Sequence, residues 1–146
     1  MNIFTDGSSS PGGRGPGGWA FVARSSDGLT LHEAWGHAPD TTNNRMELQA
    51  IIEALRWIAG HHCMIFSDSQ LCVNTLTQWS QAWRKRGWRK ADGGEPMNLD
   101  LVVVAHELYQ ANPNASVIWL RGHAGNPGNE RADLLAGRAR LAAATG

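Results

Sequence analysis

The chain has 146 residues, with 13 Lys+Arg against 13 Asp+Glu and a formal net charge of zero. That length predicts one domain able to bury its own core. The charge balance excludes a global pull on nucleic acid, so such a partner would have to be held by a local patch. No apolar run approaches the roughly 20 residues that span a bilayer, and the N-terminus lacks the basic and then long apolar regions of a signal peptide. A cytoplasmic protein without a membrane partner is expected.

Asn2–Thr5 reads as a first strand. Ser8–Gly18 follows, with five glycines and two prolines from Pro11 to Gly18, a composition that predicts a loose turn into a second strand, Trp19–Arg24. Asp27-Gly28 is a hairpin signal, and Leu29–Gly36 would complete an antiparallel meander. Thr41–Asn44 has the residues of a helix start. Leu48, Ile51, Ile52, Leu55, Ile58 and Ala59 then keep helical spacing up to Gly60. Met64–Phe66 is a short apolar strand of the parallel, doubly covered type.

Helical segments are predicted at Ser69–Thr77 and around Gln81–Arg86, and Gly87-Trp88 interrupts them. Asp92-Gly93-Gly94 with Pro96 marks a loop before a helix over Met97–Gln110. Asn112-Pro113-Asn114 breaks that helix. A last strand, Ser116–Leu120, leads through the loop Arg121–Gly128 to a terminal helix, Asn129–Ala143. The order β-β-β-α-β-α-α-α-β-α predicts an α/β fold with a five-stranded mixed sheet: three antiparallel strands, then two parallel, flanked by helices. Cys63 and Cys72 lack the spacing of a zinc site and read as buried thiols in a reducing compartment.

Asp6 and Asp68 each follow an apolar strand, whereas Glu47 and Asp133 lie inside helical patterns. Singly, each has an ordinary reading: Asp6-Gly7 as a turn, Asp68 as a helix cap, Glu47 and Asp133 as first-turn acids favoured by the helix dipole. Together, on this element order, they can converge beyond the carboxyl ends of the parallel strands, where open α/β sheets collect ligands. Such a cluster repels itself unless a cation lies within it, and hard oxygen ligands suit Mg²⁺ or Mn²⁺.

A second feature is the acid-free stretch Ser69–Ala91. Arg84, Lys85, Arg86, Arg89 and Lys90 crowd into seven residues there, interleaved with Trp79, Trp83 and Trp88. Cations neutralise phosphates and aromatic faces pack on sugars; the ordinary alternative is a solvated basic helix whose tryptophans point inward. His32, His37, His61, His62 and His106 have no motif around them and read as surface or structural residues.

Thr5-Asp6-Gly7-Ser8, Thr41-Thr42-Asn43-Asn44-Arg45-Met46-Glu47-Leu48, Ser67-Asp68-Ser69-Gln70, and Gly122-His123-Ala124-Gly125-Asn126 with Asn129-Glu130-Arg131-Ala132-Asp133 resemble type 1 ribonuclease H, close to the bacterial ribonuclease HI form. The likeness spans essentially the whole chain. It implies a ribonuclease H-like fold and one catalytic domain over residues 1–146, with a basic protrusion at about 79–95. The implied activity is endonucleolytic hydrolysis of the RNA strand of an RNA/DNA hybrid, leaving 5′-phosphate and 3′-hydroxyl ends.

By the same resemblance Asp6, Glu47, Asp68 and Asp133 hold two Mg²⁺ ions, with Mn²⁺ as a substitute, and His123 assists proton transfer or product release. Trp79, Trp83, Arg84, Lys85, Arg86, Trp88, Arg89 and Lys90 grip the DNA strand, Trp79 partly serving packing. Asn43, Asn44 and Gln70 read the 2′-hydroxyl in a broad minor groove, and Thr42 belongs to a phosphate pocket for the DNA strand. A monomer is implied. The loop Ser9–Gly18 departs from the pattern in lacking the Asn that relatives use against the DNA backbone, and Arg14 is a candidate to replace it. A non-catalytic hybrid-binding module would not need the repulsive acids. A transposase- or resolvase-like nuclease would not be expected to carry the Thr41–Leu48 string or the Trp/basic segment.

Overall fold

A computed structural model describes residues 1–145. Strands β1 (Asn2–Ser9), β2 (Gly15–Arg24), β3 (Thr30–Thr41), β4 (Cys63–Ser67) and β5 (Ala115–Trp119) form one sheet in the order β3-β2-β1-β4-β5. The first three pair antiparallel, while β4 joins β1 and β5 joins β4 in parallel. This is the mixed sheet expected from the element order.

Strand periodicity divides the interior into two cores. Ile3, Phe21 and Ala23 point to one face, where α1 (Asn43–Ile58) and α4 (Leu99–Ala111) pack. Phe4, Ala20 and Val22 point to the other, covered by α5 (Pro127–Thr145). On α1, Ile51, Ile52, Leu55 and Ile58 are fully buried, each worth about 1.5–3 kcal/mol relative to exposure. Cys63 and Cys72 are buried and unbridged. Among the described residues, no helix is long and apolar enough to cross a membrane.

The glycine-rich stretch departs from the predicted loose turn, because β1 runs on to Ser9 and β2 already begins at Gly15. Gly18 there, and Gly7 just before it, let helices approach the sheet closely. A Cβ on Gly18 would run into the backbone of Ala136 and Arg140 on α5, and one on Gly7 into the backbone nitrogen of Glu47 on α1. Both helices therefore lie on the β1–β2 hairpin at backbone contact. Strand β3 likewise extends past Pro39 to Thr41, which is tolerated because β3 is an edge strand with no neighbour to receive the missing N–H.

Helix α1 starts as the sequence predicts: Thr42 is the N-cap and its hydroxyl accepts the Arg45 N–H at 3.4 Å. Its end falls at Ala59 and Gly60, both in the left-handed region. The two predicted segments after β4 are one continuous helical run. A π-helical turn over Thr75–Trp79 joins α2 (Gln70–Asn74) to α3 (Ser80–Lys85). The Thr75 and Thr77 hydroxyls donate back to the carbonyls of Leu71 and Val73 at 2.8 and 2.7 Å, and such back-bonding loosens the ladder of an α-helix.

Helix α4 begins at Leu99, after Asn98 in the left-handed region. Helix α5 begins earlier than predicted, at Pro127, because Asn126 accepts the Asn129 N–H on its side chain and the Glu130 N–H on its carbonyl, and proline suits the first helical position. Among the unassigned histidines, His106 is buried at 2.7 Å from the Ser80 hydroxyl and His32 stacks on Trp57.

Gly7→Ala is expected to cost about 1–3 kcal/mol, because the methyl group meets α1 backbone and no flexible side chain can yield. Urea unfolding of the variant against the wild type measures this directly.

Candidate active site

The parallel β1–β4 ladder ends at the pair Thr5↔Ser67. Asp6 follows on β1 and Asp68 is the first residue past β4, so their carboxylates emerge together at the sheet's carboxyl edge. Glu47 reaches the same point from the first turns of α1, whose close seat on Gly7 sets the depth of its approach. Asp6, Glu47 and Asp68 each offer an oxygen within 4.8 Å of the others. Asp133, on the exposed side of α5, lines the same open cavity of about 480 Å³. Three acids form the tight cluster and the fourth stands at its rim.

Asp6 and Glu47 are each only 3% exposed. Burial pushes both carboxyl groups well above the usual carboxylate range, and the Glu47 charge raises Asp6 further. Asp68 and Asp133 add repulsion at Glu47, while hydrogen bonds from Asp6 and the Gly7 backbone partly offset it. None of the four ion pairs among the described residues reaches these acids. Glu47 Oε2 is buried without a hydrogen-bond partner, and such an atom is costly unless a ligand completes it. An all-carboxylate donor set with a buried orphan oxygen fits a hard divalent cation.

His123 stands exposed at the mouth of the cavity, its backbone held at φ 55°. Its N–H donates to Asn129 Oδ1 at 3.4 Å, so the fully buried Asn129 ties the loop to the start of α5. Sequence reasoning assigned Asn129 no role. The available signal was Asn126-Pro127, a helix start that places Asn129 in the first turn, facing back along the loop.

Of the expected substrate-binding residues, Asn43 lines the acid cavity, Thr42 caps α1 and Gln70 is exposed two residues beyond Asp68. Asn44 lines a separate apolar cleft of about 280 Å³ together with Trp79, Trp83 and Lys90. Trp79 and Trp83 lie 6.1 Å apart. Trp83 and Trp88 pack against the main core, Trp88 edge-on to His106, whereas Trp79 is exposed. Trp79, with 37% of its surface open, leans on Trp83 at the edge of that cleft. Arg84 and Lys85 border a third cleft beside His106, and Arg86 and Arg89 face solvent. None of the five basic residues joins an ion pair among the described residues. Arg14 pairs with Asp40 at 3.0 Å.

Carboxylates converging at the ends of two parallel strands, in a sheet of this order, define an α/β nuclease of the ribonuclease H-like class. The family model described as RNase H matches residues 1–140, and the chain belongs to that family. It is 45% identical over 139 residues to the ribonuclease H of Acidovorax sp. (strain JS42), covering 93% of this chain and 91% of that protein. LC9-RNase H1, a type 1 enzyme with the type 2 active-site motif, superposes with a TM-score of 0.81 at 34% identity, covering 97% of this chain and 72% of that one. LC11-RNase H1, solved in complex with an RNA/DNA hybrid, gives 0.73 at 26% identity over 98% of each chain.

Without metal, the folded state holds protons on Asp6 and Glu47 that the unfolded chain releases above pH ~4. Their raised folded values mean stability is fully present below that pH and is lost as pH rises. Asp6→Asn should therefore raise Tm in EDTA at pH 8 and do little at pH 4. Mg²⁺ should then raise the wild-type Tm more than that of the variant. Differential scanning fluorimetry across pH measures both.

Proposed function

We propose that the chain cleaves the RNA strand of RNA/DNA hybrids by two-metal-ion hydrolysis, leaving 5′-phosphate and 3′-hydroxyl ends. The observation that carries this reading is the buried Asp6–Glu47–Asp68 cluster with its unsatisfied Glu47 oxygen, on the topology of the family. Asp6 and Asp68 are the central ligands, Glu47 and Asp133 complete the two coordination shells, and Mg²⁺ is the ion, with Mn²⁺ as a substitute. When bound, such a pair of ions activates a water and stabilises the departing 3′-oxygen.

The surrounding residues divide the remaining work. The buried acids hold a fixed geometry at the sheet edge. His123, exposed in side chain yet anchored through its backbone, moves a proton or eases product out at the cavity mouth. Asn43 and Gln70 flank the acids where a ribose 2′-hydroxyl would pass, and Asn44 extends that polar row toward the tryptophan cleft. The unpaired cations of the Arg84–Lys90 segment neutralise DNA-strand phosphates, Trp79, Trp83 and Trp88 give that segment its aromatic faces and footing, and Thr42 supports a phosphate at the start of α1. Residues 1–146 act as one catalytic domain, as a monomer, in a reducing compartment such as the cytoplasm, which suits both free thiols.

A matched assay on end-labelled hybrid, RNA duplex, DNA duplex and single-stranded RNA, with Mg²⁺ or EDTA, tests the activity. Only the RNA of the hybrid should be cut, only with metal, and Asp68→Asn should nearly abolish cutting while the circular dichroism spectrum stays native. Tight hybrid binding without cleavage in either Mg²⁺ or Mn²⁺ would sink the enzymatic reading. Neutralising Arg84, Lys85 and Arg86 should weaken binding and reduce the slope of log K against log salt by about 0.7–0.9 per lost phosphate contact, with kcat at saturating hybrid preserved.

A further inference from the structure

Trp119 ends β5 with 46% of its surface open to solvent, so burial alone does not explain its position. Its ring nitrogen nevertheless has a defined partner: Nε1 donates to the main-chain carbonyl of Asp68 at 3.3 Å. The sheet register makes this reach possible. Ser67 pairs with Trp119 across the β4–β5 ladder, and the Leu120 N–H donates to the Ser67 carbonyl at 3.0 Å. Asp68 is the first residue past that ladder, where regular strand bonding no longer holds the chain.

The rest of the Asp68 surroundings are equally built. Ser67 Oγ accepts the Ser69 N–H at 3.1 Å, fixing the turn into α2. Gly122, just beyond Trp119, lies so near the Asp68 carboxylate that a Cβ there would come within 2.7 Å of Oδ2. The segment leaving β5 therefore holds the Asp68 peptide through the indole, while the missing side chain of Gly122 leaves room for the Asp68 carboxylate.

We propose that Trp119 is a positioning residue for Asp68: its indole N–H holds the peptide carrying that carboxylate, and so sets how the carboxylate meets Asp6 and Glu47 around a metal ion. This rests on Asp68 being a metal ligand. Partners behind metal-binding carboxylates commonly shift metal affinity or activity about 10–100-fold when removed. An exposed ring contributes little to the core, so losing only its donor should spare the fold.

The test uses Trp119→Phe, which keeps a ring without a donor, and Trp119→His, which keeps a ring N–H. Mn²⁺ affinity is measured by calorimetry on the substrate-free protein, Tm in EDTA, and kcat and KM across Mg²⁺ concentrations. Trp119→Phe should bind Mn²⁺ about 10-fold more weakly, with an unchanged Tm in EDTA. Its kcat should fall at limiting Mg²⁺ and return at high Mg²⁺, with KM for hybrid unchanged. Trp119→His should recover most of the affinity, and Trp119→Phe should add no loss to Asp68→Asn.

Wild-type Mn²⁺ affinity in Trp119→Phe overturns the proposal, as does a rise in KM alone, which would make the ring a substrate contact. If Asp68→Asn loses metal while Trp119→Phe does not, only the role of Trp119 falls. If Asp68→Asn keeps both metal affinity and cleavage, Asp68 leaves the site and the proposal goes with it.

Discussion

Carboxylates forced together at the edge of a buried sheet are the constraint on which the rest of this structure depends. Two of them, Asp6 and Glu47, are almost wholly removed from water, and among the described residues neither joins an ion pair. Taking ionised groups out of water costs several kcal/mol each unless something compensates. The fold must therefore supply enough stability elsewhere to hold that geometry, and it does so through two apolar cores on opposite faces of β1 and β2. The acidic site sits where those cores meet the end of the parallel ladder. There the carboxylates have the backbone behind them and open cavity ahead.

Precision at that point comes from backbone contact more than from side chains. Gly7 lets α1 rest on β1, which brings Glu47 to Asp6; Gly18 lets α5 rest on β2, which brings Asp133 to the rim. Short hydrogen-bonded turns then fix the remaining pieces: Ser67 and Ser69 behind Asp68, and Asn126 and Asn129 behind His123. Elements that must not move are tied by main-chain groups, and the groups that meet solvent or substrate project from them.

Electrostatic zones are separated in the same economical manner. A zero net charge hides an acidic pit at the sheet edge and a run of unpaired cations on the helical segment from Arg84 to Lys90. Footing for that segment comes from Trp83, Trp88 and His106, which pack beneath it. The cations can then face outward without the segment unravelling, and Trp79 is left exposed beside them.

Much of this was legible in the residues alone. Helical spacing from Leu48 to Ile58 fixed α1 and its buried face, and an apolar stretch followed by an acid located the ends of β1 and β4. Local strings around the four acids carried the family. These signals survive because periodicity and capping depend on neighbours within a few residues. What only the tertiary structure decided lies in contacts between segments distant in the chain. The glycines from Gly15 to Gly18 looked like a turn because composition cannot tell a residue needed for bending from one needed so that a helix can approach. Which tryptophans pack and which stand free depended on α4 arriving beneath α3. That Trp119 reaches the carbonyl of Asp68 followed from strand register, which no single segment encodes.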